Sequence, residues 1–272
     1  MRPSFVAILT MGLILTAATS PAAEGVDPAL SAVIAGDHRS EANKARDQFR
    51  HPAETLTFFG LKANMTVVEV WPSTGWYSEI LGPYLVKQGK YYAAGWDPES
   101  KIEFIQRGIK VFSDKLAARP DLYAGTEMTV LSFPDQMAIA PAGTADMVLT
   151  FRNIHNWMGG NNAEKAFAAM YAALKPGGVL GVVEHRARTD VPQDPKAASG
   201  YVREDHAIEL AKKAGFVLEA SSEINANPRD TRDYAKGVWT LPPTYREGEK
   251  DRGKYTAIGE SDRFTLRFRK PL

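Results

Sequence analysis

From residue 66 to residue 70 the chain reads Thr-Val-Val-Glu-Val, a mostly β-branched run of strand length that stops at the turn Trp71-Pro72-Ser73-Thr74-Gly75. The hydrophobic period then changes, and residues 76–85 carry apolar positions at helical spacing. That switch recurs down the chain. Residues 91–96, 128–133, 145–151, 179–184, 216–220 and 263–269 predict strands, and helical patterns at 101–118, 163–174 and 203–214 fall between them. The run at 145–151 is almost continuously apolar, as in a strand covered on both faces. At Lys175-Pro176-Gly177-Gly178 the spacing predicts a helix end, with glycine in the left-handed cap and proline stopping propagation. Ahead of the first strand, residues 28–35, 41–49 and 52–59 read as helices, the last with Pro52 in its first turn.

Strands alternating with helices predict an α/β fold with a mostly parallel sheet and right-handed crossovers. No crossover helix precedes the final strand, so an antiparallel seventh strand fits best. Between strands six and seven lies a long polar segment, residues 221–262, holding Pro228, Pro242 and Pro243. It leaves from the carboxyl edge of the sheet, where ligands bind in open α/β folds. It reads as either a lid over a site or a surface excursion.

Composition narrows the class. With 272 residues, 44% hydrophobic and 24% charged, the chain suits one elaborated domain. A formal net charge of +1 supplies no field to hold nucleic acid or a membrane surface. There is no cysteine, hence no disulfide, thiolate chemistry or lipobox. The first residues differ from the rest. Arg2, an apolar stretch over 5–18 and the small residues Ser20-Pro21-Ala22-Ala23 make a secretory leader, expected to be cut near Ala22 or Ala23. The expected organisation is a signal peptide at 1–23, a helical extension at 24–60 and an α/β domain at 61–272 with the insertion at 221–262. The mature protein is expected in a periplasm or outside the cell, with no stable membrane insertion.

The candidate chemistry gathers at predicted strand ends. Glu69 closes the first strand and Asp97 follows the second; a carboxylate there can accept both ribose hydroxyls of a nucleoside. Asp97 also suits an Asp-Pro turn, and Glu69 can equally hydrogen-bond its own turn. The fourth strand runs into Phe151-Arg152-Asn153-Ile154-His155-Asn156-Trp157, and the fifth into Glu184-His185-Arg186. If these strands are neighbours, Glu184 or His185 meets His155, and a carboxylate orienting a histidine is the usual support for a base. Ion pairing of Glu184 with Arg152 or Arg186 is the competing reading, as helix capping is for His155. In the long segment, Arg229 or Arg232 could hold an anionic substrate if it folds over the site. The five histidines show no metal-ligand spacing, so no metal is expected.

The ordered set resembles the class I S-adenosylmethionine (SAM) methyltransferases, and in particular a family of exported members. Glu69 and the turn to Gly75 resemble motif I, with Trp71 and Ser73 where two glycines usually stand. Gly95-Trp96-Asp97 resembles motif II, and Leu131-Ser132-Phe133 resembles the segment near the adenine. Residues 155–157, His-Asn-Trp, are similar to the His-Asp-Trp stretch of small-molecule O-methyltransferases. The resemblance implies a Rossmann-like class I methyltransferase fold with helices on both faces of a seven-stranded sheet. It also implies SAM as cofactor, held by Glu69, Trp71, Ser73, Gly75, Asp97, Phe133 and Arg152. For Trp71 the residue itself leaves two roles open, stacking on a ligand or filling a core gap. The resemblance places catalysis at His155, Glu184 and His185, with His155 as general base toward an unidentified small-molecule acceptor, a hydroxyl fitting best. Export and SAM use pull against each other, since SAM is made in the cytoplasm. The alternative is an exported binding protein that kept the fold and lost SAM. An NAD(P)-dependent oxidoreductase fits poorly, because the G-x-G-x-x-G turn is absent.

Overall fold

Alternation along the first strand sets up both cores of the protein. In the computed structural model, which describes residues 25–272, β1 (Thr66–Val70) sends Val67 to one face and Val68 and Val70 to the other. The predicted leader lies outside the described residues. The chain before β1 forms α1 (Pro28–Ala35), α2 (Glu41–Lys44), α3 (Asp47–Arg50) and α4 (Pro52–Phe59). After β1 come α5 (Ser78–Leu85), β2 (Lys90–Gly95), α6 (Glu103–Ala118), α7 (Pro120–Tyr123), β3 (Thr126–Val130) and β4 (Ala145–Phe151). Then follow α8 (Ile154–Gly159), α9 (Ala163–Ala173), β5 (Leu174–His185), α10 (Glu204–Lys213) and β6 (Val217–Ser222). A 3-10 turn (Gly237–Thr240), α11 (Arg252–Ile258) and β7 (Arg263–Arg269) complete the chain.

The seven strands form one sheet in the order β3-β2-β1-β4-β5-β7-β6. β1 to β5 run parallel, while β7 pairs antiparallel with both β5 and β6. This is the Rossmann-like methyltransferase topology, with the antiparallel seventh strand the sequence predicts. One face is covered by α8, α9 and α10, burying Trp157, Phe167 and Met170; the other by α1, α4 and α5, burying Leu30, Phe59 and Leu81. Each such side chain contributes about 1.5–3 kcal/mol relative to an exposed one. Gly181 of β5 matters here: a Cβ on it would sit 2.8 Å from the Phe59 ring, so its absence lets α4 lie close to the sheet.

The order of strands also decides where the site lies. Because β1, β4 and β5 are parallel, their carboxyl ends at Val70, Phe151 and His185 share one edge. β7 runs the other way, so its first residue, Arg263, pairs with His185 at that same edge.

Several expected boundaries move. The helix expected over 41–49 is two short helices: Ser40 caps α2 through Asn43 N at 3.2 Å, and the chain bends at Ala45 and Arg46 before α3 starts. The third strand ends at Val130 rather than 133, because Ser132 N turns back to Gln136 O at 2.7 Å and Pro134 has no N–H for a ladder. At Lys175–Gly178 there is no glycine cap: these residues belong to β5, and Gly177 N donates to Lys270 O at 2.9 Å. The end of α9 is closed instead by Lys270, whose Nζ donates to Tyr171 O (2.9 Å) and Leu174 O (2.6 Å). No helix among the described residues is long and apolar enough to cross a membrane.

Candidate active site

The turn after β1 has the backbone of a glycine loop with only Gly75 kept as glycine. Trp71, Ser73 and Gly75 all take left-handed conformations, at φ 49°, 57° and 79°. Such a backbone costs a non-glycine residue about 1–2 kcal/mol, so tertiary contacts must impose it. For Trp71 those contacts are visible. Its Nε1 donates to Leu131 O at 2.9 Å, and its indole meets Trp96, Phe133 and Trp157 at centroid distances of 6.3, 6.3 and 5.7 Å. It fills a gap in the aromatic packing and also forms a wall between two clefts. Gly75 serves packing, since a Cβ there would lie 2.8 Å from Phe112.

Glu69 points to the α5 side of the sheet and is buried. Its Oε2 accepts from Ser78 Oγ (2.7 Å) and Tyr91 OH (2.6 Å). Burial raises its pKa despite those donors. Hydrogen bonding within its own βαβ unit is therefore its observed role, while its edge still lines the larger cleft.

Beyond the Trp71 wall a cleft of about 530 Å³ opens between Trp96, Phe104, Phe133 and Asp97. Asp97 is half-buried; its Oδ1 accepts from Glu99 N at 2.9 Å, the Asp-Pro turn the sequence allows. Its Oδ2 is reached only by Ser132 Oγ, at 3.4 Å, among the described residues. A carboxylate oxygen facing an aromatic-walled cleft is what remains for a ligand.

The second cleft, of about 550 Å³, sits over the ends of β1, β4 and β5. Asn153 ties two of those ends together, donating from Nδ2 to Val70 O at 2.9 Å and Thr150 Oγ1 at 3.2 Å. The chain then enters α8, which presents His155. Glu184, fully buried at the end of β5, accepts from Ile154 N (2.6 Å) and His155 N (3.4 Å) through Oε2. Its Oε1 accepts from His185 N (2.8 Å) and faces His155 Nδ1 at 3.1 Å. One carboxylate thus caps α8 and orients its histidine. Because it can only accept, His155 carries its proton on Nδ1 and its lone pair on Nε2, at the cleft. The expected alternative fails: Arg186 pairs with Glu223 (2.7 Å) and Glu204 (3.6 Å), and Arg152 makes no ion pair among the described residues.

His185 lies on the opposite side of β5, yet at the strand end the two imidazoles come within 5.4 Å. Its Nδ1 meets Ser261 Oγ at 2.5 Å. Burial first, then neighbouring His155, Arg263, Arg152 and Arg50, push its pKa well below the usual histidine value. That setting disfavours the His185 imidazolium, and the residue lines the same cleft as His155. One ligand atom each of His155, Glu184 and His185 falls within 4.8 Å of the others. Glu184's oxygens are committed to the backbone N–H groups of Ile154, His155 and His185 and to the His155 ring, while the His185 ring turns to Ser261.

The sequence reading missed the basic side of this cleft. Glu260, buried just before β7, takes Arg46 Nε at 2.5 Å, Arg50 Nε at 3.2 Å and the Arg263 guanidinium. Burial alone would raise the Glu260 carboxyl, but Arg263, Arg50 and Arg46 hold it well below the carboxylate range. Arg152 sits beside them at φ 62°. The visible signals were Arg46 and Arg50, one helical turn apart, and a charged Glu-Ser-Asp-Arg run opening the last strand. The long segment supplies Trp239 and Arg246 to the rim, the guanidinium 4.6 Å above the indole. Arg229 and Arg232 are not at the cleft: Arg229 is exposed and Arg232 pairs with Asp262 at 3.2 Å. The anion-binding expectation for those two is corrected.

No family model matches this sequence, and no curated protein does either. Solved structures do. A SAM dependent methyltransferase from Aquifex aeolicus aligns with a TM-score of 0.54 and 18% identity, over 83% of this chain and 93% of that one. The [4+2]-cyclase SpnF gives 0.56 and 16%, over 90% and 92%. CrArsM, an arsenic (III) S-adenosylmethionine methyltransferase from Chlamydomonas reinhardtii, gives 0.50 and 15%, over 90% and 74%. At such identities the likeness shows the fold, and a cyclase among the neighbours means the fold does not fix the reaction.

Proposed function

We propose that this protein is a SAM-dependent methyltransferase acting on a hydroxyl of a small molecule, with His155 as general base. The observation that carries the reading is the Glu184–His155 pair at 3.1 Å, set at the ligand edge of a fold its SAM-dependent neighbours share. A binding module has no need of a buried carboxylate that fixes one tautomer of a cleft histidine.

The residues present fit the cofactor. Asp97 has an oxygen available for ribose hydroxyls, Trp96 and Phe133 offer faces for an adenine, and Trp71, Ser73 and Arg152 border the path to the second cleft. Bound there, SAM would supply an electrophilic methyl group on a sulfonium. The chain's part is then to position and deprotonate. His155 Nε2 takes the acceptor's proton while Glu184 stabilises the imidazolium through Nδ1, a contribution of about 10²–10⁴-fold. The residues from 237 to 246 wall the cleft against water and act as the specificity element of the long segment.

His155→Ala should leave S-adenosylhomocysteine affinity within about twofold and lower methyl transfer from labelled SAM to hydroxyl-bearing acceptors by about 10²–10⁴-fold. Undiminished transfer would remove the base role. A second reading, a binding protein without SAM, is favoured by the bulky Trp71 at the turn; absence of S-adenosylhomocysteine binding would select it. We further propose that the chain is exported after loss of residues 1–23. Mass spectrometry of the protein from an oxidising compartment should find a mature N-terminus near Glu24.

A further inference from the structure

The second cleft carries far more positive charge than the fold consumes. Five guanidinium groups line it, against two carboxylates, Glu69 and Glu260. Glu69 is held by Ser78 and Tyr91, and burial favours its neutral form. Among the described residues Glu260 is therefore the single carboxylate paired with Arg46, Arg50 and Arg263. Arg50 and Arg263 are 4% and 2% exposed, so this excess sits where water screens it poorly. Arg50 is spread over the Trp76 ring, 4.6 Å from its centroid, and its Nε–Glu260 contact is the only side-chain hydrogen bond it makes among the described residues. The terminal nitrogens of Arg46 likewise donate to nothing described, and the Arg152 guanidinium has no hydrogen-bond or ion-pair partner among the described residues. Burial and then Arg263 press the Arg152 guanidinium down to about 10, still protonated at neutral pH.

Uncompensated buried charge is strongly destabilising, and a fold keeps it where a ligand completes it. Planar guanidinium forks match the oxygens of carboxylates and phosphates. We propose that Arg46, Arg50, Arg152 and Arg263 form a dianion site beside His155, which holds the acceptor molecule by a phosphate monoester or a pair of carboxylates. The amino-acid end of SAM could offer a carboxylate to the same forks. Its adjacent ammonium makes that end neutral overall, however, and a cluster with this excess repels the ammonium. A doubly charged anion with no cation of its own matches the site better. Arg246, over Trp239 at the rim, adds a further guanidinium along the entry path. Calling the anion an acceptor rests on the methyl-transfer reading; the existence of the anion site does not.

The test is calorimetric titration of the full chain with inorganic phosphate, against chloride at matched ionic strength, with and without saturating S-adenosylhomocysteine. The expected result is saturable phosphate binding that persists with S-adenosylhomocysteine present. Arg152→Gln should weaken it at least tenfold, and Arg152→Lys, which keeps the charge and loses the fork, by less. Arg152 supports no other described side chain, so both variants should fold; circular dichroism checks this. Phosphate no better than chloride, or affinity unchanged in Arg152→Gln, overturns the site. Binding abolished by S-adenosylhomocysteine overturns the acceptor assignment and gives the arginines to the cofactor's carboxylate. Phosphate binding through Arg152 together with no S-adenosylhomocysteine binding upholds the anion site and removes the methyl-transfer reading.

Discussion

Glu184 is the residue on which the account turns, because it takes four donors while fully buried. Glu184→Gln keeps the shape but turns an N–H donor toward groups that themselves donate. It should cost about 1–3 kcal/mol in urea unfolding and also release the His155 tautomer. His185 offers a separate check through pH. Its folded pKa is depressed by burial and by His155, so the unfolded chain binds the extra proton. The stability it supports is present above about pH 6.5 and is lost as pH falls from there toward its folded value. The raised carboxyls of Glu69 and Asp230 act in the opposite sense, so the comparison is between proteins rather than along one curve. His185→Gln should flatten the decline in melting temperature between pH 6.5 and 5 relative to wild type, and an equal decline would show that His185 does not titrate as described. His155 and Glu184 were legible in the sequence because one follows the end of β4 and the other lies at the end of β5, and strand order brings such ends together. Which of them would pair was not legible: it depended on α8, whose six residues are too few to show a helical period.

The strand-turn-helix units carried the most readable information. β1, β4 and β7 stand where the sequence puts them: β1 and β4 as mostly apolar runs buried on both faces, β7 as an alternation of arginines with Phe264, Leu266 and Phe268. The β1 turn was only half readable. A left-handed residue was foreseeable at Gly75, but not that Trp71 would be forced into the same conformation by Leu131 and three aromatic rings. Gly75→Ala tests how tightly this element is built: at φ 79°, with Phe112 2.8 Å from the new Cβ, it should cost about 2 kcal/mol or more in chemical denaturation. A neutral substitution would mean that the turn relaxes freely. The helix ends where the pattern puts it, but the glycine cap expected at Lys175–Gly178 does not form, because the capping partner, Lys270, comes from the far end of the chain and no local pattern contains it.

At the scale of the whole molecule the cleft is an assembly of parts distant in sequence. Arg46 and Arg50 come from the N-terminal helices, Arg152 and His155 from the β4 edge, and Trp239 to Arg263 from the last quarter of the chain. The long segment is pinned where it returns to the sheet. Asp230, 1% exposed, accepts from Tyr201 OH at 3.0 Å, Arg232 N at 2.9 Å and Asp262 N at 2.8 Å. Asp230→Ala should free that anchor and speed limited proteolysis between residues 231 and 256, while Trp157 and the sheet core stay protected. Cleavage no faster than in wild type would show that other contacts hold the segment. The central claim, that this assembly takes a SAM-type ligand despite Trp71, is met most directly by thermal unfolding of the full chain with increasing S-adenosylhomocysteine. Ligand at about a hundredfold its dissociation constant adds about 2.7 kcal/mol, so the account predicts a dose-dependent rise in melting temperature that Asp97→Ala diminishes. No rise at millimolar ligand would contradict it.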